Sequence, residues 1–481
     1  MNAQMIRYIL GRMLGIEGLV LLIPMLIAIL YHEDSWTSFL YTSVILLVIA
    51  FLIGRKRPQD FRIYGKEGFV IVGFAWILWS LFGAVPFTMS GSIPSYLNAV
   101  FETVSGFTTT GSTILSEIEG MPYGMLFWRN FTHWIGGMGV LVFALMLTTL
   151  NDKNAMFLMR AEVPGPEKDK MIPQARKNAL LLYVMYFVLT AAQIILLKIG
   201  GMSLYDSVLH AFSTAGTGGF SPKNTSVAYY DSAYIDGVIT VFMVLFGVNF
   251  NMYFLILMKD IKSIFKNEEL RVYLGIIAGT ILLITMNITH MYGSVLKAFR
   301  YAAFQVTTII STTGFMTADY DLWPEFSKCL LLMVMVIGAC GGSTGGGIKV
   351  SRLLVMFKSI HREIKQLLHP RSVNRMMMNG KTITDNSIRG IYIYFFAYVI
   401  IVVISTILVS LDNYDLGTSF SAVLTTINNV GPGISKVGPT CNFGFLSPFT
   451  KIVLCVDMLV GRLEIFPFLM IASPSLWRKK F

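Results

Sequence analysis

Four times along the chain, an apolar segment too short to cross a bilayer runs straight into a polar strip that carries a glycine. The segments read YLNAVFETVSGF, LYDSVLHAFSTA, VLKAFRYAAFQVTTI and LGTSFSAVLTTI, and the strips TTTGS, GTGGF, STTGF and NNVGP. With Gly111, Gly219, Gly314 and Gly431 in register, the copies lie 108, 95 and 117 residues apart. A small hydroxyl (Ser105, Ser213, Thr308, Thr425) stands six residues before each glycine. Gly139, Gly247 and Gly342 follow the first three by 28 residues, and Gly461 follows the fourth by 30. Agreement at three registers marks an internal repeat of span, half-helix, polar strip, span. One TxG strip alone reads as a turn, and one half-length segment as a surface helix; four in register do not.

Such a repeat needs a membrane around it. Of the 481 residues 54% are hydrophobic and only 14% charged, too few to clothe a soluble protein of this size, and the mean hydropathy is +0.65. A helix needs roughly 20 apolar residues to cross the hydrocarbon. Stretches of that order occupy 8–30, 38–54, 68–89, 126–150, 179–199, 234–258, 271–290, 325–358, 388–411 and 449–473, the eighth of them interrupted. The expected fold is an all-α polytopic membrane protein in which four pseudo-symmetric repeats surround one central pore. Two transmembrane helices in 1–66 precede pore repeats over 67–152, 153–260, 261–360 and 361–481. The apolar run after Arg7 and Arg12 contains Glu17 and meets YHEDSW without a small-residue cleavage site, so it reads as a retained helix.

The basic residues orient the chain. Of 38 Lys and Arg, 29 lie near the N-terminus or in 55–66, 153–177, 259–271, 349–389 and 478–480, on alternate connections. The connections between carry mostly acids, among them Glu33, Asp34, Glu117, Glu119, Asp231, Asp319 and Asp321. By the positive-inside rule both termini are cytoplasmic. The net charge of +11 is spread over separate clusters rather than one face, which argues against nucleic acid. Cys329, Cys340 and Cys455 lie in apolar spans and Cys441 in a loop, so no disulfide framework is visible.

Non-helical backbone at membrane depth persists only where protein buries it or it lines a wet cavity. Four equivalent strips meeting on one axis, their backbones extended, would turn carbonyl oxygens inward and replace the hydration shell of a cation. Glycine tolerates the conformations such a lining needs. No strip carries an acid, and neutral carbonyls and hydroxyls suit an ion that must leave again, K⁺ in particular. The half-helices would aim their partly negative C-terminal ends at the same point.

These strips, with GACGGSTGGGIKVSR and the late VGRLEIFPF, resemble the Trk/Ktr/HKT superfamily of potassium transporters over essentially the whole chain, and its bacterial Trk branch most closely. Two spans ahead of the first repeat favour that branch over Ktr, the Na⁺-coupled alternative. The resemblance implies one K⁺ selectivity filter made of Thr109, Thr110, Gly111, Thr217, Gly218, Gly219, Thr312, Thr313, Gly314, Asn429, Val430 and Gly431. Glycine at all four register positions goes with K⁺ preference in that family. The second and fourth strips depart from the TTG of the others, so the symmetry is approximate.

GACGGSTGGGIK lacks the G-K-[ST] ending of a phosphate-binding loop. A small-residue packing face between helices is one reading. An unwound segment is the other, since so many glycines weaken a helix. The resemblance implies an intramembrane gating loop, and hence a gate of Gly341, Gly342, Ser343, Thr344, Gly345, Gly346 and Gly347 with Lys349 and the pore arginine Arg462. That arginine falls about 21 Å into the last span at 1.5 Å per residue; the bland reading pairs it with Asp457 or Glu464. Arg129, Lys328 and Lys451 near outer span ends read as snorkelling anchors, and His133 as a satisfied core histidine. An intramembrane hydrolase using Ser343 and His133 would not require four repeats.

The resemblance further implies a homodimer in the bacterial cytoplasmic (inner) membrane that docks a ring of cytoplasmic nucleotide-binding subunits of the RCK type, TrkA-like. The basic loops 153–177 and 349–389 are the expected contacts, and anionic lipid would explain them equally well. No nucleotide site is evident in this chain.

Overall fold

The computed structural model describes residues 2–56, 58, 65–139, 175–371 and 375–477. The chain opens with α1 (Ala3–Val20) and α2 (Leu22–Leu30), which form one kinked span, and α3 (Trp36–Gly54). The same series of parts then recurs four times. The first series is α4 (Gly65–Gly83) with its continuation α5 (Val85–Met89), the half-helix α6 (Tyr96–Phe107) and α7 (Tyr123–Gly137). The second is α8 (Ala175–Ile199), half-helix α9 (Leu204–Gly216), α10 (Ala233–Phe246) and α11 (Phe250–Leu257). The third is α12 (Glu268–Tyr292), half-helix α13 (Val295–Ile310), α14 (Glu325–Ile337) and α15 (Val350–Leu368). A short antiparallel hairpin, β1 (Met377–Met378) and β2 (Lys381–Thr382), leads to the fourth: α16 (Asp385–Val409), half-helix α17 (Leu416–Ile427), α18 (Pro448–Arg462) and α19 (Phe466–Ala472).

Among the described residues six helices are long and apolar enough to cross a membrane, and they are the two leading spans and the first span of each series. The second span of every series opens instead as a short helix, which in the second, third and fourth series is followed by a break and a further helix. Sequence reading expects one interruption, in the third series, and the structure corrects this. The break after Phe246 bends α10 against α11 by 94°, and it forms because Asn249 caps the new helix through its side chain, accepting from the Asn251 amide at 2.9 Å. After Arg462 the chain turns through Glu464 and Ile465, at φ +54° and +68°. A β-branched residue there is strained, and Pro467 then restarts the helix. In the third series Gly338, at φ +71° and ψ −161°, ends α14 in a region open essentially to glycine alone. The expected span 126–150 is described only as far as residue 139, where α7 has already ended.

The two leading spans are fastened to the first series. Gly11, Gly15 and Gly18 let α1 lie directly on α3, where a Cβ at Gly11 would come within 2.9 Å of the Gly54 nitrogen. Ser43 donates to the Gly18 carbonyl at 2.6 Å, and Trp79 of α4 to the Met13 carbonyl at 3.2 Å. Between α2 and α3, Glu33 accepts from the Tyr123 and Gly124 amides at 2.5 and 3.0 Å, which satisfies the first turn of α7. Trp76, Trp79, Phe101, Phe107 and Trp128 fill the core behind that series, while Phe396, Ile404 and Ile407 of α16 stay exposed as a lipid-facing surface.

Candidate functional site

Each half-helix ends in the same way, and the hydroxyl register marks how. The amides of Thr110, Gly218, Thr313 and Val430 donate to the carbonyls of Ser105, Ser213, Thr308 and Thr425 at 2.8, 2.8, 2.8 and 3.0 Å. The preceding amides, of Thr109, Thr217, Thr312 and Asn429, donate to Gly106, Thr214, Ile309 and Thr426 at 3.0–3.2 Å. This bond pair is the Schellman cap, built four times around a residue at φ +54° to +59°. Glycine usually holds that left-handed position. Here Thr109, Thr217 and Thr312 are β-branched residues forced into it, and Asn429 is the one comfortable there. The caps turn the strip amides back toward the half-helices and leave the carbonyls to face elsewhere.

Two residues further on, Gly111, Gly219, Gly314 and Gly431 lie at φ +81°, +81°, +84° and +95°. The strips are therefore not extended, as sequence reading expects, but alternate in the sign of φ. A Cβ on Gly111 would overlap the Gly218 carbonyl oxygen, one on Gly219 that of Thr313, and one on Gly314 that of Val430. A Cβ on Gly431 would lie 2.8 Å from the Thr110 oxygen. The contacts run from the first series to the second, third, fourth and back to the first, so the four strips close a ring around one axis. Across the closing seam Ser112 donates to the Gly431 carbonyl at 3.2 Å and Asn429 to Thr110 Oγ1 at 2.9 Å, while Asn429 also donates to the Met458 carbonyl of its own series at 3.0 Å.

The second strip's departure from TTG has a packing cause. In the first and third strips the Thr108–Thr110 and Ser311–Thr313 hydroxyl pairs bond at 2.8 and 2.7 Å. In the second, a Cβ on Gly218 would overlap the His133 ring, which stacks on Phe220 with centroids 4.1 Å apart and lies 3.3 Å from the Ser213 hydroxyl. His133 fills the space a threonine would take.

Arg129 is not a snorkelling anchor. It is buried and ion-paired with Glu102 of the half-helix at 2.7 Å, donates to the Ser221 carbonyl at 3.1 Å, and lies 3.5 Å from the Phe220 ring. Glu102 also accepts from Thr113 at 2.8 Å and the Ile114 amide at 3.0 Å. The pair thus braces the outer ends of the first two strips. The signal was legible, because an acid within an apolar half-helix requires a partner. Lys451 is likewise buried, donating to Asn98 and to the Gly444 carbonyl at 3.0 and 2.9 Å. Lys328 pairs with Glu325 at 2.6 Å. Breaking a buried pair from one side is severe: Glu102→Gln should lower stability by about 3–5 kcal/mol, read as a fall in detergent melting temperature, with Glu102→Leu/Arg129→Met recovering much of it.

Beneath the ring, residues 338–349 cross as a loop. Gly346 donates its amide to Thr312 Oγ1 at 2.6 Å, directly onto the third cap. The Cys340 amide donates to the Gly247 carbonyl and the Phe250 amide to that of Gly342, both at 3.0 Å, while Thr344 donates to the Phe246 carbonyl at 3.2 Å. Ser343 bonds back to the Cys340 carbonyl at 2.6 Å, and buried Lys349, at φ +83°, to that of Gly345. Gly341 lies over α12, and Gly347 against Gly338.

Arg462 completes this layer. It donates to the Thr344 carbonyl at 2.8 Å, to that of Gly137 at 2.9 Å and to that of Gly136, with Trp76 at 5.8 Å. Of the acids near it in sequence, Glu464 pairs with Arg352 at 2.6 Å and Asp457 accepts from the Ser405 hydroxyl at 2.7 Å. Loop and arginine together touch all four series. Packing also corrects the glycine register. Gly136, not Gly139, abuts the Phe107 carbonyl as Gly461 abuts that of Ile427, whereas Gly247 faces the Tyr273 hydroxyl and Gly342 the Asn249 side chain. Equal spacing did not make those positions equivalent, because the first helix of each second span ends at a different place.

Residues 38–479 match the family model described as the cation transport protein TrkH. The chain is 34% identical to the Trk system potassium uptake protein TrkH of Salmonella typhimurium, and all of each chain is covered. It is 32% identical to TrkG of Escherichia coli over 99% of both. The crystal structure of the potassium transporter TrkH from Vibrio parahaemolyticus superposes with a TM-score of 0.90 at 33% identity, over 99% of this chain and 100% of that one.

Proposed function

Because this chain belongs to the TrkH family of cation transport proteins, a family of transporters rather than enzymes, we propose that it takes up K⁺ through the ring of four strips. The observation that carries this reading is the closed cycle of glycine-to-carbonyl contacts from Gly111 through Gly219, Gly314 and Gly431. A dehydrated ion on that axis is held by peptide oxygens from all four strips, strongly enough to replace water and, with no acid present, weakly enough to release it. The carbonyl ends of four half-helices add a favourable field.

The loop 338–349 and Arg462 act as the gate below. A guanidinium close to the axis repels the cation, and the loop occupies the space beneath the ring. The protein lies in the bacterial inner membrane with both termini cytoplasmic. It works as a homodimer under an RCK-type, TrkA-like nucleotide-binding ring that contacts the basic cytoplasmic segments; of these, 153–174 lie outside the described residues. The repeats divide as 67–152, 153–260, 261–360 and 361–481, after the leading helices in 1–66.

The test is ⁸⁶Rb⁺ uptake into proteoliposomes. Excess K⁺ should abolish tracer uptake and equal Na⁺ should leave it nearly unchanged. Equal competition by both ions would remove the K⁺ assignment.

A further inference from the structure

The first turn of α12 carries two adjacent glutamates that face different parts of the protein. Glu269 is buried, and its Oε1 accepts from the Gly341 amide at 2.6 Å and the Ser351 amide at 3.1 Å. Gly341 lies near the start of the loop and Ser351 just beyond its end, in the first turn of α15. One carboxylate oxygen therefore clamps both flanks of the segment beneath the ring. Amides bound to an anion make bonds roughly twice as strong as neutral ones.

Its neighbour Glu268 reaches the cytoplasmic hairpin. Glu268 accepts from the Asn379 amide at 3.0 Å and from the Lys358 ammonium of α15, and its own amide donates to Asn379 Oδ1 at 2.8 Å. Lys358 also donates to the Met377 carbonyl at 2.8 Å. Asn267 caps α12 by accepting from the Leu270 amide at 2.9 Å, which makes the turn bearing both glutamates rigid. Met376, Val355, Ile388 and Ile391 bury the base of the hairpin against α15 and α16.

We infer that Glu269 is the latch that holds the gating loop closed, and that Glu268 ties this latch to the hairpin 376–382, so that displacement of the hairpin releases the loop. The inference rests on the gate assignment above. Both glutamates are positioning residues, acting on the permeation path through the loop. The arrangement gives a cytoplasmic contact on the hairpin a short mechanical route to the loop: hairpin to Glu268, one residue along a capped helical turn to Glu269, then to Gly341 and Ser351. Lys358 and Ser351 both belong to α15, so the same helix closes the circuit.

The experiment uses the full chain in liposomes without any cytoplasmic partner. Glu269→Gln keeps the shape but replaces the charged acceptor, and should raise ⁸⁶Rb⁺ uptake about tenfold while the preference for Rb⁺ over Na⁺ is retained. Glu269→Asp, too short to reach both amides, should do the same. Hydrogen exchange reads the tie: Glu268→Gln should speed exchange at Asn379 and also at Gly341 and Ser351, whereas a change confined to Asn379 would sever it. A merely structural role would lower uptake and melting temperature together, and that result would overturn the latch. Arg462→Ala in the same vesicles separates the two assignments. Raised flux there with unchanged flux in both Glu269 variants removes the latch alone, and unchanged flux in all three removes the gate itself.

Discussion

Gly219→Ala should reduce ⁸⁶Rb⁺ uptake about 100-fold and erase the discrimination against Na⁺, although the protein still folds. A lost contact between an ion and a carbonyl is worth on the order of 3 kcal/mol, or about two decades in rate. Gly219 sits at φ +81°, where a Cβ is itself disfavoured by about 1–2 kcal/mol. More decisively, that Cβ would coincide with the Thr313 carbonyl oxygen, so the oxygen must leave its place in the ring. Gly111→Ala and Gly314→Ala displace the Gly218 and Val430 carbonyls in the same way. Gly431→Ala should be the mildest of the four, since its Cβ would stand 2.8 Å from the Thr110 oxygen. Uptake by monodisperse, reconstituted variants checks the ranking, and wild-type selectivity in Gly219→Ala would contradict it.

Arg462→Ala should act in the opposite direction and raise K⁺ flux at least tenfold in the absence of any partner. A unit charge on the order of 10 Å from the ion, at an effective dielectric of about 20, repels it by about 1.7 kcal/mol, or more than a decade in rate. The arginine also pins the loop through the Thr344 carbonyl and the end of α7 through Gly136 and Gly137, so its removal frees both. Arg462→Lys retains the charge and should remain near wild type, while Arg462→Gln retains a donor without charge and should conduct like the alanine variant. Flux through Arg462→Ala equal to that of wild type would remove the barrier role.

How much of this could be read beforehand varies by element. The half-helices fall where their amphipathic segments stand, Tyr96–Phe107 and Leu416–Ile427 to the residue, because a short apolar run bounded by Ser95 or Asp415 has clear ends. Asp415 caps its helix by accepting from Thr418, whose hydroxyl and amide hold that carboxyl below its ordinary range. The hydroxyl register turned out to mark the residue whose carbonyl closes each cap, a role of the backbone rather than of the side chain.

The broken second spans were hidden for a different reason. The bend at Gly247 needs only one glycine and the side chain of Asn249, and the turn at Glu464 and Ile465 has no breaker until Pro467. Apolar runs on both sides of a bend look the same as one straight span. For Arg129 the sequence shows that Glu102 needs a partner but not which one, since the two lie 27 residues apart on different elements. Glu268 and Glu269 lie ahead of the expected span 271–290, and nothing in their sequence neighbourhood sets them apart. Only the folded chain brings the residues near 341, 351 and 379 to them.

A density map of the protein in Tl⁺ or Rb⁺, with anomalous signal or ion-substitution differences, tests the ring most directly. The expected result is a peak on the axis surrounded by the carbonyls of Thr110, Gly218, Thr313 and Val430, lost when Na⁺ replaces the heavier ion. A ring filled by lipid or side chains, with the ion bound elsewhere, would contradict it.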